Sequence, residues 1–235
     1  MWWYRALHAG ALDALGPSRA EAERREPPGP VLDAGCGTGG FLARLRQARP
    51  GAAAVGLEFN PEAAARASDK AGVPVAVGSI NAIPFADGAF AGLVSLDVLC
   101  HAAAEPARAL AEFRRVLCPG GRLVVNLPAY QWLASAHDVR VHNARRFTAG
   151  GARALLAAAG FAGISTRYWN ALLFPLMVVQ RKLLARGDDH GSDVALPPAW
   201  LNRSLLGVTA LERRAAALGL RFPAGGSVLA TATRP

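Results

Sequence analysis

One stretch constrains this chain more than any other: Val31-Leu32-Asp33-Ala34-Gly35-Cys36-Gly37-Thr38-Gly39-Gly40. A short apolar run ends in an acid, glycines alternate, and an amphipathic stretch opens at Phe41. That order reads as strand, tight turn and helix start. Without Cβ atoms, such a turn lets the backbone approach a nucleotide-like ligand closely. Gly35, Gly37 and Gly40 also satisfy the GxGxxG dinucleotide fingerprint, which is a weak signal alone. Asp33 tips the balance. A dinucleotide turn aims helix amides at an anionic pyrophosphate, and a carboxylate planted there repels it unless turned away. A ligand with a cationic ammonium and sulfonium is instead attracted.

From Val31 onward strand and helix patterns alternate. Strands are predicted at 31–34, 53–58, 73–77, 92–96 and 122–127. Helices are predicted at 40–48, 61–71 and 105–117. Pro61 suits a first helical turn. Regular alternation means a parallel sheet with crossover helices. A leading helix over 3–15 precedes a Pro-rich, charged linker. After residue 149 come a helix over 152–159, a strand over 161–168 and a last strand over 227–231. The chain divides into a leading helix and linker (1–29), a core (30–168), an apolar helical insertion (169–220) and a final strand (221–235), all within one domain.

At 235 residues the chain suits one α/β domain, and 52% hydrophobic content is ample for a core. Cys36, Cys100 and Cys118 show neither disulfide nor metal-ligand spacing, so no metal and a reduced, cytoplasmic setting are expected. No apolar run reaches the length of a membrane span, and the N-terminus does not read as a signal peptide. The net charge of +9 is carried almost wholly by arginine. It fits either a surface that attracts anions or dispersed, solvated charges.

The ordered motifs resemble those of class I S-adenosyl-L-methionine (SAM)-dependent methyltransferases, within them the small-molecule, quinone-type group. DAGCGTG fits the family's D-x-G-x-G-x-G string. Glu58 ends the second strand, 23 residues after Gly35. Gly78-Ser79-Ile80-Asn81-Ala82-Ile83-Pro84-Phe85 is similar to the family's G-D-A-x-x-L-P-F segment, with serine in place of the acid. Leu117-Cys118-Pro119-Gly120-Gly121-Arg122-Leu123 is similar to its L-k-P-G-G-x-L turn. The resemblance covers 31–127. It implies a Rossmann-like, seven-stranded, mostly parallel sheet of order 3-2-1-4-5-7-6 with helices on both faces. It further implies a SAM site built from Asp33, Gly35, Cys36, Gly37, Gly39, Glu58, Phe59, Ser79, Ile80 and Asp97, with S-adenosyl-L-homocysteine as product.

Methyl transfer needs an aligned acceptor and, for a hydroxyl or amine, a proton acceptor. His101 after strand four and His137 after strand five are the candidate bases. Tyr130, Trp132, Asp138 and Arg145 are the candidate acceptor contacts. For Arg145 and Arg146 a brace for the helix entry is the competing reading, with Thr148 as that helix's N-cap. The expected acceptor is small and apolar, methylated at O, N or C, with no nucleic-acid partner. An RNA or protein methyltransferase, a non-catalytic SAM-binding scaffold and an NAD enzyme are the rivals. The insertion opens with an apolar stretch, 169–179, followed by Arg181, Lys182 and Arg186. It reads as an interfacial membrane anchor or substrate lid, as a dimer contact, or as a helix buried under a later one at 205–218. A monomer and a homodimer both fit.

Overall fold

The structure, a computed structural model, describes residues 1–16, 29–140, 142–181 and 197–235. Seven strands form one sheet of order β3-β2-β1-β4-β5-β7-β6, as the resemblance implies. They are β1 (Val31–Ala34), β2 (Ala54–Glu58), β3 (Val75–Val77), β4 (Phe90–Leu96), β5 (Leu117–Pro128), β6 (Ala162–Trp169) and β7 (Ser227–Thr233). Pairing is parallel from β3 through β5, with Leu32 beside Val55 on one side and Leu93 on the other. Strand β7 runs antiparallel between β5 and β6.

Crossover helices α2 (Gly40–Ala48), α3 (Pro61–Ala71) and α4 (Pro106–Val116) start within one residue of where the sequence places them. Asn60 accepts the Glu62 and Ala63 amides ahead of Pro61, which satisfies donors the helix leaves open. The central strands alternate between two cores. Leu32, Leu93, Leu123 and Val125 enter one, with Phe113 of α4. Val31, Val94 and Val124 enter the other, with Phe41, Leu42 and Leu45 of α2. This is the period of two that a sheet covered on both faces requires.

Helix α1 (Trp2–Leu15) lies on the second face and buries Ala6, Leu7, Ala11, Ala14 and Leu15. Its last carbonyls are held by arginines: Arg122 Nε donates to Ala14 O at 2.7 Å and Arg49 Nη2 to Gly16 O at 2.8 Å. Cationic donors there satisfy open acceptors and complement the helix dipole.

The second half departs from expectation in two places. Trp169 is the last residue of β6, not the first of an apolar helix. Asn170 then takes a left-handed φ of 56°, which stops the strand. The predicted three apolar turns reduce to a six-residue helix, α7 (Phe174–Val179), with Leu172, Leu176 and Val179 exposed. The later helix, α8 (Ala199–Ala217), starts six residues earlier than the pattern at 205 suggests. It packs beside α1, and the Trp2 amide donates to Asn202 Oδ1 at 2.7 Å. Residues 182–186 of the apolar-basic segment, and the Asp188, Asp189 and His190 loop, lie outside the described residues. No helix among those described is long and apolar enough to cross a membrane.

Candidate active site at the carboxyl ends of the strands

In an open α/β sheet the ligand crevice lies beyond the carboxyl ends of the strands, where the strand order reverses. Here that point falls between β1 and β4. Gly35, Gly37 and Gly39 have φ of 86°, 53° and 76°. A side chain at Gly35 would collide with Val98 Cγ2 at 2.5 Å, and one at Gly39 with the Ala67 backbone at 2.8 Å. The turn is therefore pinned between the β4 loop and α3.

Asp33 is 2% exposed and its Oδ2 has no hydrogen-bond partner among the described residues. Burial, reinforced by the charge of Glu58, pushes its carboxyl up to about 8. An isolated buried carboxylate is costly; a cationic ligand would relieve it. Glu58 accepts the Gly37 amide at 2.9 Å through Oε2 and the Asn60 amide at 3.0 Å through Oε1. Each oxygen keeps a lone pair, so the carboxylate is fixed in place and can still receive two hydroxyls. Phe59 next to it is 75% exposed, a ring open to stacking.

Other sequence candidates are placed differently. Cys36 points down into the second core against Gly56, and its amide is bound to Leu57 O. Burial and the charges of Asp33 and Glu58 raise its thiol to about 12, and its carbonyl accepts the Gly39 amide at 2.9 Å within the turn. Ser79 Oγ accepts the Asn81 amide at 3.1 Å, and Ile80 is buried beside it. Asn81, which the sequence reading passed over, ties this loop to the start of α4. Its Nδ2 donates to Ala103 O at 2.9 Å and its Oδ1 accepts the Glu105 amide at 3.0 Å.

Beyond β4, Asp97 has a φ of 57°. Its Oδ1 accepts from Asn126 Nδ2 at 2.8 Å. Burial raises its carboxyl to about 7, against the pull of the Asn126 hydrogen bond and the Arg146 charge. His101 follows on the same loop, bridged to Asn143, and its ring has no hydrogen-bond partner among the described residues.

Beyond β5 the short helix α5 (Ala136–Arg140) carries His137, whose side chain lies outside the described residues. Asp138 turns inward. It is 3% exposed and paired with Arg146 Nη2 at 2.7 Å, with the Ser135 amide on Oδ2 at 2.9 Å and Arg181 Nη1 at 3.4 Å. Burial opposes its ionisation, but the Arg146 hydrogen bonds, the Ser135 amide and the two guanidinium charges outweigh it and hold the carboxyl below its ordinary value. Arg145 Nη1 donates to the carbonyls of Leu99, His101 and Ala104 at 3.2, 2.7 and 2.8 Å. Both residues brace the loops. Thr148 Oγ1 accepts the Gly151 amide at 3.0 Å and caps α6 (Ala149–Ala158) as expected.

Tyr130 and Trp132 do reach the rim. Tyr130 stacks on Tyr168 of β6 at 5.2 Å and touches Trp132 and Phe174 at 5.7 Å each. Tyr168 and Phe174 come from elements that the sequence offers no way to place beside Tyr130. A separate cavity, away from these strand ends, lies among α1, α8 and β6 and is lined by Arg167, Glu212 and Phe222.

The sequence of residues 32–125 matches the family described as methyltransferase domain. Residues 32–125 belong to the class I SAM-dependent methyltransferases. The remaining chain completes that domain's sheet. A stretch of 103 residues is 41% identical to demethylmenaquinone methyltransferase of Thermus thermophilus, covering 42% of this chain and 46% of that protein. Another of 135 residues is 36% identical to an uncharacterized 37.1 kDa protein in a transposon of Streptomyces fradiae, covering 55% and 36%. The match thus spans less than half of these relatives' own length. Among solved structures, a SAM-dependent methyltransferase from Thermotoga maritima aligns over 99% of this chain and 91% of its own, at a TM-score of 0.60 and 19% identity. Geranyl diphosphate C-methyltransferase from Streptomyces coelicolor, in complex with S-adenosyl-L-homocysteine, aligns over 98% and 77%, at 0.61 and 16%. At these identities the likeness is one of fold. SAM is the methyl donor of this class, and the methyltransferase domain here fits it. The orphaned Asp33 oxygen suits a cation, Glu58 suits vicinal hydroxyls, and the glycine turn admits close approach.

Proposed function

We propose that the protein transfers the methyl group of SAM to an O, N or C atom of a small, largely apolar acceptor. The observation that carries this reading is the group Tyr130, Trp132, Tyr168 and Phe174, gathered at the same strand ends as Asp97 and His101. Aromatic faces there suit a flat or greasy acceptor. The names of relatives agree with this. They include demethylmenaquinone methyltransferase and, at 33% identity over 124 residues, 24-methylenesterol C-methyltransferase 2 of Oryza sativa.

In this reading Asp33, Gly35, Gly37 and Gly39 hold the methionine end of the cofactor. Glu58 takes the ribose hydroxyls, Phe59 and Ile80 flank the adenine, and Ser79 and Asp97 complete the crevice. When bound, SAM supplies an electrophilic methyl carbon on a sulfonium. The chain's own part is alignment and proton removal. The rings of Tyr130 and Trp132 orient the acceptor, and the His101 ring takes the proton when the acceptor atom is a hydroxyl or amine.

Incubation with methyl-labelled SAM and a panel of quinols, phenols, amines and isoprenoid alkenes tests this. Label is expected in at least one apolar class. The expected fate of Asp33→Ala is loss of SAM binding by more than about a hundredfold in calorimetry, since the buried carboxylate would face a cation. Tight SAM binding with no label in any acceptor would favour the scaffold reading. Label in RNA that declines steeply with salt would favour the nucleic-acid one.

A further inference from the structure

A chain of side chains joins the N-terminal helix to the strand-end crevice along one face of the sheet. Trp3 of α1 stacks on Trp169 at 4.7 Å, with the ring planes 22° apart. Trp169 Nε1 donates to Asn126 Oδ1 at 2.7 Å. Asn126 Nδ2 donates to Asp97 Oδ1 at 2.8 Å. Asn126 is fully buried on β5. It shares the pleat parity of Val124, which places it on the face that α1 covers.

The chemistry of the links makes the chain directional. An indole N–H can only donate. With Trp169 fixed, Asn126 must turn its carbonyl toward Trp169 and its amide nitrogen toward Asp97. The reverse orientation would set two donors against each other and a carbonyl against a carboxylate. Trp169 is in turn held by Trp3, on a helix whose far end Arg49 and Arg122 pin to the core.

We propose that Asn126 and Trp169 are positioning residues: with Trp3 over them, they hold Asp97 as an oriented acceptor at the cofactor crevice and make cofactor affinity depend on the seating of α1. The proposal rests on the SAM-dependent reading above. The groups facing Asp97 are the Cys100 thiol on its own loop, which lies 3.2 Å from the Asp97 carbonyl, Asn126 on β5, and at longer range the Arg146 guanidinium, which is bound to Asp138. Of these, only Asn126 donates a hydrogen bond to the carboxylate among the described residues. Its loss raises the pH at which Asp97 takes up a proton. A cationic ligand is then held less well at neutral pH.

The test is SAM affinity by calorimetry across about pH 6 to 8 for wild type, Trp169→Phe and Trp3→Leu. Trp169→Phe keeps an aromatic ring under Trp3 and deletes only the indole N–H. The expected result is about tenfold weaker binding at neutral pH, with the midpoint of the pH profile moved up by about one unit. Trp3→Leu acts from outside the buried network and is expected to move the midpoint the same way by less. It decides the matter should Trp169→Phe fail to fold. Affinity unchanged in these variants overturns the proposal. So does affinity that weakens with the midpoint unmoved, which is the mark of lost packing alone. Absence of SAM binding by the wild type instead overturns the methyltransferase reading, and this proposal with it.

Discussion

On the β1–β2 side of the crevice the left-handed backbone positions are Gly35, Gly37 and Gly39. On the β4–β6 side they are Asp97, Tyr130, His142 and Asn170. The two sides bend at the same strand ends, but one does so with residues that adopt that conformation freely and the other with residues that resist it. Non-glycine residues held there cost of order 1 kcal/mol or more each, and such positions cluster where side chains are needed for function. The glycine side presents backbone to the crevice. The other side presents a carboxylate, a phenol ring and an imidazole. Its left-handed residues are held by what surrounds them: the Asp97 amide on Asn126 O, the Tyr130 amide on Phe147 O, and the His142 carbonyl on the Ala102 amide.

That contrast can be broken at several points. The largest effect is expected at the buried pair beneath the second side. Arg146→Ala leaves Asp138 short of its main partner, and chemical denaturation should show a loss of about 3 kcal/mol or more. A loss under about 1 kcal/mol would mean that Arg181 and the Ser135 amide suffice. On the glycine side, Gly39→Ala combines a φ of 76° with a Cβ 2.8 Å from the Ala67 backbone. It should cost about 2 kcal/mol and weaken SAM binding in step.

The third test concerns pH. The folded carboxyl of Asp33 titrates near 8, against an ordinary value of 3.8. Between those values the folded chain holds a proton that the unfolded chain has released. Stability without ligand therefore falls as pH rises through that window. Asp97, raised to about 7, adds to the same slope. Asp33→Asn removes the larger part, so its Tm should exceed that of wild type at about pH 8 by about 2–4 °C or more and differ little at about pH 4. Wild-type and variant curves that run parallel would contradict the burial argument. The smallest effect is expected at Asn170→Gly. The change relieves a φ of 56° and deletes a buried Oδ1 that has no partner among the described residues, so stability should stay within about 1 kcal/mol of wild type, on the stabilising side. A large loss there would show that the Asn170 side chain holds the β6 end against Gly226.

How much was legible follows the same division. Strand β1, the turn and helices α2 and α3 were readable to within a residue. Their signals are local: an apolar run, alternating glycines, the Asn60-Pro61 cap. Glu58 was readable because its distance along the chain from the turn is set by one β-α-β unit. The bracing roles of Asp138 and Arg145 are not legible, because a sequence shows a charge without its partner. Their partners are Arg146 for the one and the carbonyls of Leu99, His101 and Ala104 for the other. Trp169 looked like the start of an apolar helix because Asn170, the residue that breaks the run, is an ordinary asparagine until its neighbours force it left-handed.

By itself, then, the sequence determined the alternation of strand and helix, the glycine turn, the acid before it and the acid after it, while the sheet order and the cofactor came with the family resemblance that those motifs carry. The local features follow from short-range patterns, since backbone geometry near a glycine or a cap depends on residues a few positions away. Only the tertiary structure decided that Asp33 Oδ2 is buried with no hydrogen-bond partner among the described residues, that Trp3, Trp169, Asn126 and Asp97 form one connected path, and that Tyr130, Trp132, Tyr168 and Phe174 share a rim. Each of those facts joins residues tens to more than a hundred positions apart. Side-chain burial and hydrogen bonding at that range are settled by which strands lie side by side, and no local pattern records that.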